Sequence, residues 1–397
     1  MTSSRPRIGM AVLGLGWMGQ AHSRSALRIP SLFPDRSFEP ELVVCADPVA
    51  TQRARALEDF GFRRAVDDWR DAIADPDVRA VWVAAPNMLH IPMIEAACEA
   101  GKAVFSEKPI GGRPAQAVQA LRAASAAGVR SAVGYNYLWS PMVLHARDLI
   151  RSGALGRITH YHGRFLTMYG SDELGLLTWR FILEQAGYGV TSDILSHAVA
   201  LAQFLVGDIE EVVGMRNTTI ARRPLPTGTT SHYARGAADD PKGDVENEDF
   251  ASMLCRFSNG ATGTFETSRT VVGPESENAF EVYGTKGSVK WNHERLNELE
   301  LYRADAGDDT GYTTVRGGDR FPFHGAFVPG QANSIGFEDL VAIEDYNFLE
   351  SLATGAQFSP SFRQAVDVVN VQQALIDSWE SRSWVSVVDL AEGEGEH

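Results

Sequence analysis

The sequence predicts an α/β protein: an N-terminal doubly wound parallel sheet, then an α/β domain with an open, mostly antiparallel sheet. Three observations carry this. Over residues 7–135, short apolar runs alternate with amphipathic runs that stop at glycine. That is the pattern of βαβ units around a parallel sheet covered on both faces. From about residue 158, strand-like segments follow one another with few helices between them, which favours antiparallel pairing. The 397 residues also exceed one ordinary core and suit about two to three domains.

The first half reads in order. RIGMAVLGLG is a strand and MGQAHSRSALRI a helix. LVVCAD (42–47) is a strand and VATQRARALEDFG a helix closed by Gly61. AVWVAA (80–85) is a strand and NMLHIPMIEAACEAG a helix stopped by Gly101. AVFSEKP is a strand, PAQAVQALRAASAAG a helix stopped by Gly128, and VRSAVGY closes the set. In the second half the strands are RITHYHGRFLTM, EEVVGMRN, DFASMLCRFS, ATGTFETSR, AFEVYGT, SVKWN and LELYR, with late helices over 338–354 and 362–380. YGVTSDILSHAVALAQFLVG is apolar nearly all round and reads as one well-buried helix. The 222–248 stretch, rich in Pro, Gly, Asp and Thr, reads as a long surface loop. Expected boundaries are 1–136 for the first domain and 137–390 for the second, with 391–397 a disordered acidic tail.

Composition narrows the partners. Acidic residues outnumber basic ones, 51 against 36, for a net charge of −15. Such a surface repels phosphate backbones and argues against nucleic acid. No apolar run is long enough to span a membrane, and the N-terminal apolar run reads as a buried strand, not a targeting segment. Cys45, Cys98 and Cys255 are sparse and lack metal spacing, which fits a reducing cytoplasm. His160 and His162 alternate on a strand without acidic or cysteine partners at ligand spacing, so no metal is expected. GxSxG does not occur, so a serine nucleophile is not supported.

Gly14-Leu15-Gly16-Trp17-Met18-Gly19 is a GxGxxG between a strand and a helix. The first glycine permits the tight turn and the second lets a pyrophosphate approach the backbone. The third allows close helix–strand packing, and the helix N-terminus attracts the anion. Asp47 ends the second strand, where an acid accepts hydrogen bonds from ribose hydroxyls and repels a 2′-phosphate; NAD is therefore favoured over NADP. The loop 29–41 lengthens the spacing from Gly14 without moving the strand end. Asp47 also reads as a helix N-cap, and the two roles can coexist.

Lys108, in Glu107-Lys108-Pro109 at the end of the fifth strand, faces the crevice where doubly wound sheets bind ligands. A lysine there can hydrogen-bond a substrate hydroxyl or protonate a ketone, although Lys-Pro at a strand end is bland alone. Asp193 and His197 lie four apart and share a helix face. A histidine is the natural acid–base near neutral pH, and a neighbouring carboxylate can raise its pKa and fix its ring. The spacing reads equally as an N-cap aspartate with a satisfied buried histidine.

These pieces together resemble the Gfo/Idh/MocA family of sugar and inositol oxidoreductases. The matching segments are GLGWMG (14–19), AAPNMLH (84–90), SEKPI (106–110), GYNYLWSP (134–141), DILSH (193–197) and YGTKGSV (283–289). They run in the family's order over about residues 7–380. The resemblance implies a Rossmann domain plus an α/β domain whose open sheet mediates a homodimer or homotetramer. It implies that Lys108, Asp193 and His197 form the catalytic set. His197 would take the hydroxyl proton as hydride leaves for nicotinamide C4, Asp193 would orient the substrate or His197, and Lys108 would polarise the reacting oxygen. Pro86, Asn87, His90 and Glu107 would line the cofactor cleft, with Asn136 near nicotinamide and substrate. Two departures stand out. Ala200 replaces the Asp that many inositol dehydrogenases carry three residues after the histidine. Leu138 and Trp139 stand where many members have arginine after the sixth strand. Both leave a neutral carbohydrate more plausible than a phosphorylated substrate.

The loop before Asp47, LTWRF (177–181), GDVENEDF (243–250) and FHGAFVPG (323–330) are most similar to the family's levoglucosan dehydrogenase branch. Trp179 would stack on a sugar ring, Arg180 would hydrogen-bond its hydroxyls, and His324 or the aromatic side chains of its segment would lie over it. The expected activity is NAD-dependent oxidation of a secondary hydroxyl of a neutral sugar or anhydrosugar. Alternatives are a myo- or scyllo-inositol dehydrogenase, an NAD-dependent glycoside-processing enzyme working through a 3-keto intermediate, and a cofactor sensor without catalysis.

Overall fold

A computed structural model describes residues 5–226, 228 and 234–392. The first sheet contains β1 (Arg7–Leu13), β2 (Glu39–Ala46), β3 (Arg64–Val66), β4 (Ala80–Val83), β5 (Ala103–Ser106) and β6 (Ser131–Val133). All pairs are parallel, in the order β3-β2-β1-β4-β5-β6. Its helices are α1 (Trp17–Leu32), α2 (Ala50–Glu58), α3 (Trp69–Ile73), α4 (His90–Glu99) and α5 (Pro114–Ala127). The apolar runs of β1 and β4 are buried because helices cover both faces. The strand order reverses between β1 and β4, so a crevice opens at their carboxyl ends. β3 and α3 are additional to the elements read from the sequence; both are too short to show a period.

The second half contains α6 (Pro141–Arg151), β7 (Ile158–Thr167), α7 (Leu183–Ala186), α8 (Val190–Asp193), α9 (Leu195–Leu205) and β8 (Ile209–Asn217). There follow β9 (Arg222–Pro224), β10 (Lys242–Asp244), β11 (Phe250–Phe257), β12 (Thr262–Ser268), β13 (Ser276–Gly284) and β14 (Gly287–Asn292). The last elements are β15 (Glu298–Arg303), β16 (Tyr312–Arg316), α10 (Phe337–Thr354), α11 (Phe362–Ser381) and β17 (Val385–Ser386). Nine strands form one open sheet, β16-β15-β14-β13-β7-β12-β11-β8-β17, in which only β7 and β12 pair in parallel. β7 shows the two faces: Tyr161, Gly163 and Phe165 point into the core, while His160 and His162 are exposed. Helix α9 packs on β7 and α11 on β8.

Two expectations are corrected. The segment 188–207 is not one helix: α8 ends at Asp193, and α9 starts after Ile194. The Asp193 carbonyl accepts from Ser196 Oγ at 2.8 Å and Lys108 Nζ at 3.3 Å, side-chain bonds that compete with helix continuation. The segment 222–248 is not a surface loop throughout. β9 and β10 pair within it, and Arg223, Asn247 and Glu248 are buried; residues 227 and 229–233 lie outside the described residues. The expected disordered tail falls mostly on 393–397, also outside them.

Late helices return to the first sheet. α10 packs on α1 and α11 on α5. Arg24 forms a two-pronged ion pair with Glu338 at 2.8 and 2.6 Å.

Candidate active site

The glycine loop has the geometry a dinucleotide needs. Gly14 sits at φ 92°, where a side chain would strain the backbone, and a Cβ there would meet the Ala84 carbonyl at 2.8 Å. A Cβ on Gly19 would lie 1.9 Å from the Gly14 carbonyl, so only glycine lets α1 approach the loop. Above Gly16 nothing lies within 4 Å, which leaves backbone N–H groups open to an anion. Asp47 accepts from Leu15 N and Val49 N, both at 2.8 Å, so it shapes the loop and keeps its charge at the strand end. Trp17, 63% exposed at the start of α1, stacks on Phe337 of α10 with ring centroids 5.1 Å apart.

Lys108, Asp193 and His197 meet beyond the end of β5. Lys108 Nζ donates to Asp193 Oδ1 at 2.7 Å. Tyr169 donates to Asp193 Oδ2 at 3.1 Å, and Arg180 lies 3.9 Å from the same oxygen. Burial disfavours the Asp193 charge. The cations of Lys108 and Arg180, with hydrogen bonds from Lys108 and Tyr169, outweigh burial and hold the carboxyl well below the usual range.

His197 behaves differently from the neighbouring-carboxylate expectation. No hydrogen bond links it to Asp193 among the described residues; the carboxylate bonds Lys108 and Tyr169 instead. Burial, then the Lys108 charge, holds the imidazole well below its ordinary pKa despite Asp193. The ring stands edge-on to Tyr137 at 4.7 Å and Tyr135 at 5.9 Å, and its Nδ1 is buried without a partner among the described residues. Among the described residues the imidazole thus keeps an unpartnered Nδ1 inside an aromatic cage.

The residues expected along the cofactor cleft brace it instead of only facing it. Asn87 Nδ2 donates to the Ala186 carbonyl at 3.0 Å. His90 lies between the carbonyls of Ala85 and Pro109, at 2.7 and 2.9 Å. Glu107 Oε1 pairs with His22 Nε2 at 3.1 Å, and its Oε2 accepts from Lys108 N at 3.2 Å. Pro86 is exposed before the turn 87–89. Asn136 is buried with its Nδ2 donor unpartnered among the described residues, which suits a ligand carbonyl or hydroxyl.

Arg180 lies over Trp179 at 4.7 Å. The turn that carries both is anchored by groups the sequence reading did not single out. Phe181 is sandwiched between the guanidinium groups of Arg223, at 4.2 Å, and Arg269, at 4.4 Å. Asn247 donates to the carbonyls of Arg180 and Gly187 at 3.0 and 2.9 Å. Buried Arg269 pairs with Asp249 at 2.7 Å. Tyr137, Tyr169, His293 and Phe337 also went unread. Tyr137 touches His197 on one side and His293, at 4.8 Å, on the other. His324 is not brought to this cluster: its Nε2 bonds the Asn333 carbonyl at 2.8 Å, and none of its contacts among the described residues reaches Lys108, Asp193 or His197.

Two family models match the chain. Residues 8–135 match the oxidoreductase family with an NAD-binding Rossmann fold, and residues 143–290 match the GFO/IDH/MocA C-terminal domain. The chain belongs to the Gfo/Idh/MocA oxidoreductase family. Members similar to it include the levoglucosan dehydrogenase of Pseudarthrobacter phenanthrenivorans, 34% identical over 97% of this chain and 99% of that protein. The scyllo-inositol 2-dehydrogenase (NAD+) of Bacillus subtilis is 27% identical over 71% of this chain and 73% of that protein. A solved levoglucosan dehydrogenase complex with NADH and levoglucosan superposes with a TM-score of 0.90 at 33% identity, covering 96% of this chain and 99% of that one. As a family member, this chain is an NAD-binding oxidoreductase. The open Gly16 loop, Asp47 and the unpartnered Asn136 amide fit that cofactor.

Proposed function

We propose that the protein oxidises a secondary hydroxyl of a neutral sugar or anhydrosugar, levoglucosan-like, to the keto-sugar. One observation carries the substrate class: both cations at the site, Lys108 and Arg180, lean on the single carboxylate of Asp193. Little positive charge is left to bind a phosphate or carboxylate, whereas the unpartnered Asn136 Nδ2 and His197 Nδ1 suit hydroxyls. NAD, when bound, supplies the hydride acceptor. Lys108 Nζ hydrogen-bonds the reacting oxygen and stabilises its developing negative charge. The neutral His197 imidazole receives the hydroxyl proton. Asp193 holds Lys108 in place, and Trp179 with Arg180 forms a wall for the sugar. Positioned proton transfer of this kind contributes roughly 10²–10⁴ in rate.

The test is NADH formation at 340 nm with levoglucosan, glucose, galactose, xylose, myo-inositol and scyllo-inositol. Turnover of levoglucosan or a neutral sugar supports the reading. Turnover confined to the inositols favours the second reading, which the Bacillus relative supports. Cleavage of a glycoside without net NADH would replace both by the 3-keto route.

The proposed division is a cofactor domain over 1–136, with Lys108 and Asn136 at its edge, and a substrate domain over 137–390. The assembly we infer is a homodimer or homotetramer through the outer face of the nine-stranded sheet, where Met215 and Leu254 are 57% and 51% exposed. A cytoplasmic location accords with three buried free thiols at Cys45, Cys98 and Cys255. No helix among the described residues is long and apolar enough to cross a membrane.

A further inference from the structure

A cavity lies against the turn that carries Asn136 and Tyr137, lined by Leu138 and Trp139 of that turn. Its volume is about 360 Å³, within the range of small-molecule sites. The walls are apolar and aromatic: Trp139, Leu144, Phe204, Phe323 and Pro360. One cation enters it, Arg147 on α6. Its guanidinium lies over the Phe204 ring at 4.5 Å. Among the described residues its Nε is buried without a hydrogen-bond partner, and no ion pair involves its guanidinium. Burial and the neighbouring Arg151 both disfavour its charge, and Asp148, exposed at the rim, compensates only from a distance.

We propose that this cavity binds a small amphipathic carboxylate, an aromatic or branched acid whose apolar body fills the walls and whose carboxylate pairs with Arg147. An anion supplies the acceptor that the buried Nε lacks, and a two-pronged Arg–carboxylate pair is the geometry that fork favours. Three walls lead to the active site. Leu138 and Trp139 continue the turn from Asn136 and Tyr137. Phe204 lies on α9 about two turns beyond His197. Pro360 accepts a backbone hydrogen bond from Val133 of β6 at 3.0 Å. An occupant therefore presses on the elements that hold the base, and it acts as an effector of the reaction, a consequence that rests on the function proposed above.

Binding is tested without turnover. Phenylacetate and its neutral analogue phenylacetamide are titrated by calorimetry into the wild type, Arg147→Gln and Arg147→Lys. The expected result is saturable phenylacetate binding, weakened at least tenfold by Arg147→Gln and less by Arg147→Lys, with phenylacetamide weak throughout. Equal binding by Arg147→Gln, or equal binding of the amide, overturns the site. A changed oligomer mass for Arg147→Glu in sedimentation marks the cavity as a surface for a second copy and overturns it too. With substrate turnover established, saturating phenylacetate shifts KM or kcat in the wild type and not in Arg147→Gln. Binding without that shift removes the effector role.

Discussion

His22 and Asp345 stand 323 residues apart in the chain, and a buried imidazole–carboxylate pair at 3.0 Å joins them. Glu107 holds the other ring nitrogen, and Trp82 donates to Asp345 at 2.9 Å. Burial disfavours the charged imidazole, but the two carboxylates outweigh it and raise the His22 pKa to about 10. Replacing His22 with Asn leaves two buried acids facing each other, so His22→Asn should destabilise the fold by about 3–5 kcal/mol. The pair's contribution is full below the unfolded value of 6.5 and is lost as pH rises through about 10. Denaturant melts of wild type and variant from pH 6 to 10 should therefore converge.

Glu344, next along α10, is the complementary case. It is fully buried, and its carboxyl lies beside the Trp139 indole, a hydrogen-bonding neighbour that only partly offsets that burial. Burial, then the nearby Glu107 and Asp345, pushes its pKa well above the ordinary value, so it is held protonated. The folded state then binds a proton the unfolded chain releases, and stability falls as pH rises above the carboxylate range. Glu344→Gln should match the wild type near pH 4.5 and exceed it by an amount that grows toward pH 8, read as a rising difference in Tm.

Lys108→Ala should lower kcat about 100- to 10,000-fold and leave calorimetric NAD affinity largely unchanged. In the proposed mechanism Lys108 acts through its Nζ, which donates to Asp193 in this structure, while its backbone N–H donates to Glu107. Full turnover in the variant would remove it from the chemistry.

If His197 takes the hydroxyl proton as proposed, its protonation sets the acid limb of the rate. Its pKa lies well below 6.5 because of burial and Lys108. Activity should therefore persist at pH 6, where a free histidine is largely protonated, and fall only at lower pH. His197→Asn should abolish that limb with most of the rate; a limb centred at 6.5 or above in the wild-type kcat/KM profile contradicts the assignment.

Asp47→Ser should raise KM for NAD roughly tenfold, the equivalent of one hydrogen bond to a charged group. It should also admit NADP by removing the carboxylate that repels a 2′-phosphate. Initial rates with both cofactors measure the switch.

The parallel sheet was legible because its main strands are buried apolar runs and the helices after β4 and β5 close at Gly101 and Gly128. The glycine loop, Asp47 and Lys108 were legible with it, since doubly wound topology places strand ends at the ligand crevice. The partners of Asp193 were not. Tyr169 follows β7 and Arg180 sits on a short turn, and only the packing of the second half brings them to one carboxylate. The break at Ile194 is hidden in an apolar run whose periodicity continues across it. Arg223 and Asn247 lay inside a Gly-, Pro- and Asp-rich stretch that reads as solvent-exposed, although their job is to pin the Trp179–Phe181 turn from within. His324 was singled out through the resemblance of FHGAFVPG, and its imidazole bonds the Asn333 carbonyl.

The His22–Asp345 pair also bears on modular exchange. A chimera that grafts residues 1–136 onto another protein's second half would carry His22 and Glu107 without Asp345, and Arg24 without Glu338. The nucleotide-binding half is finished by residues of α10, so such grafts should succeed only when the donor also supplies that helix.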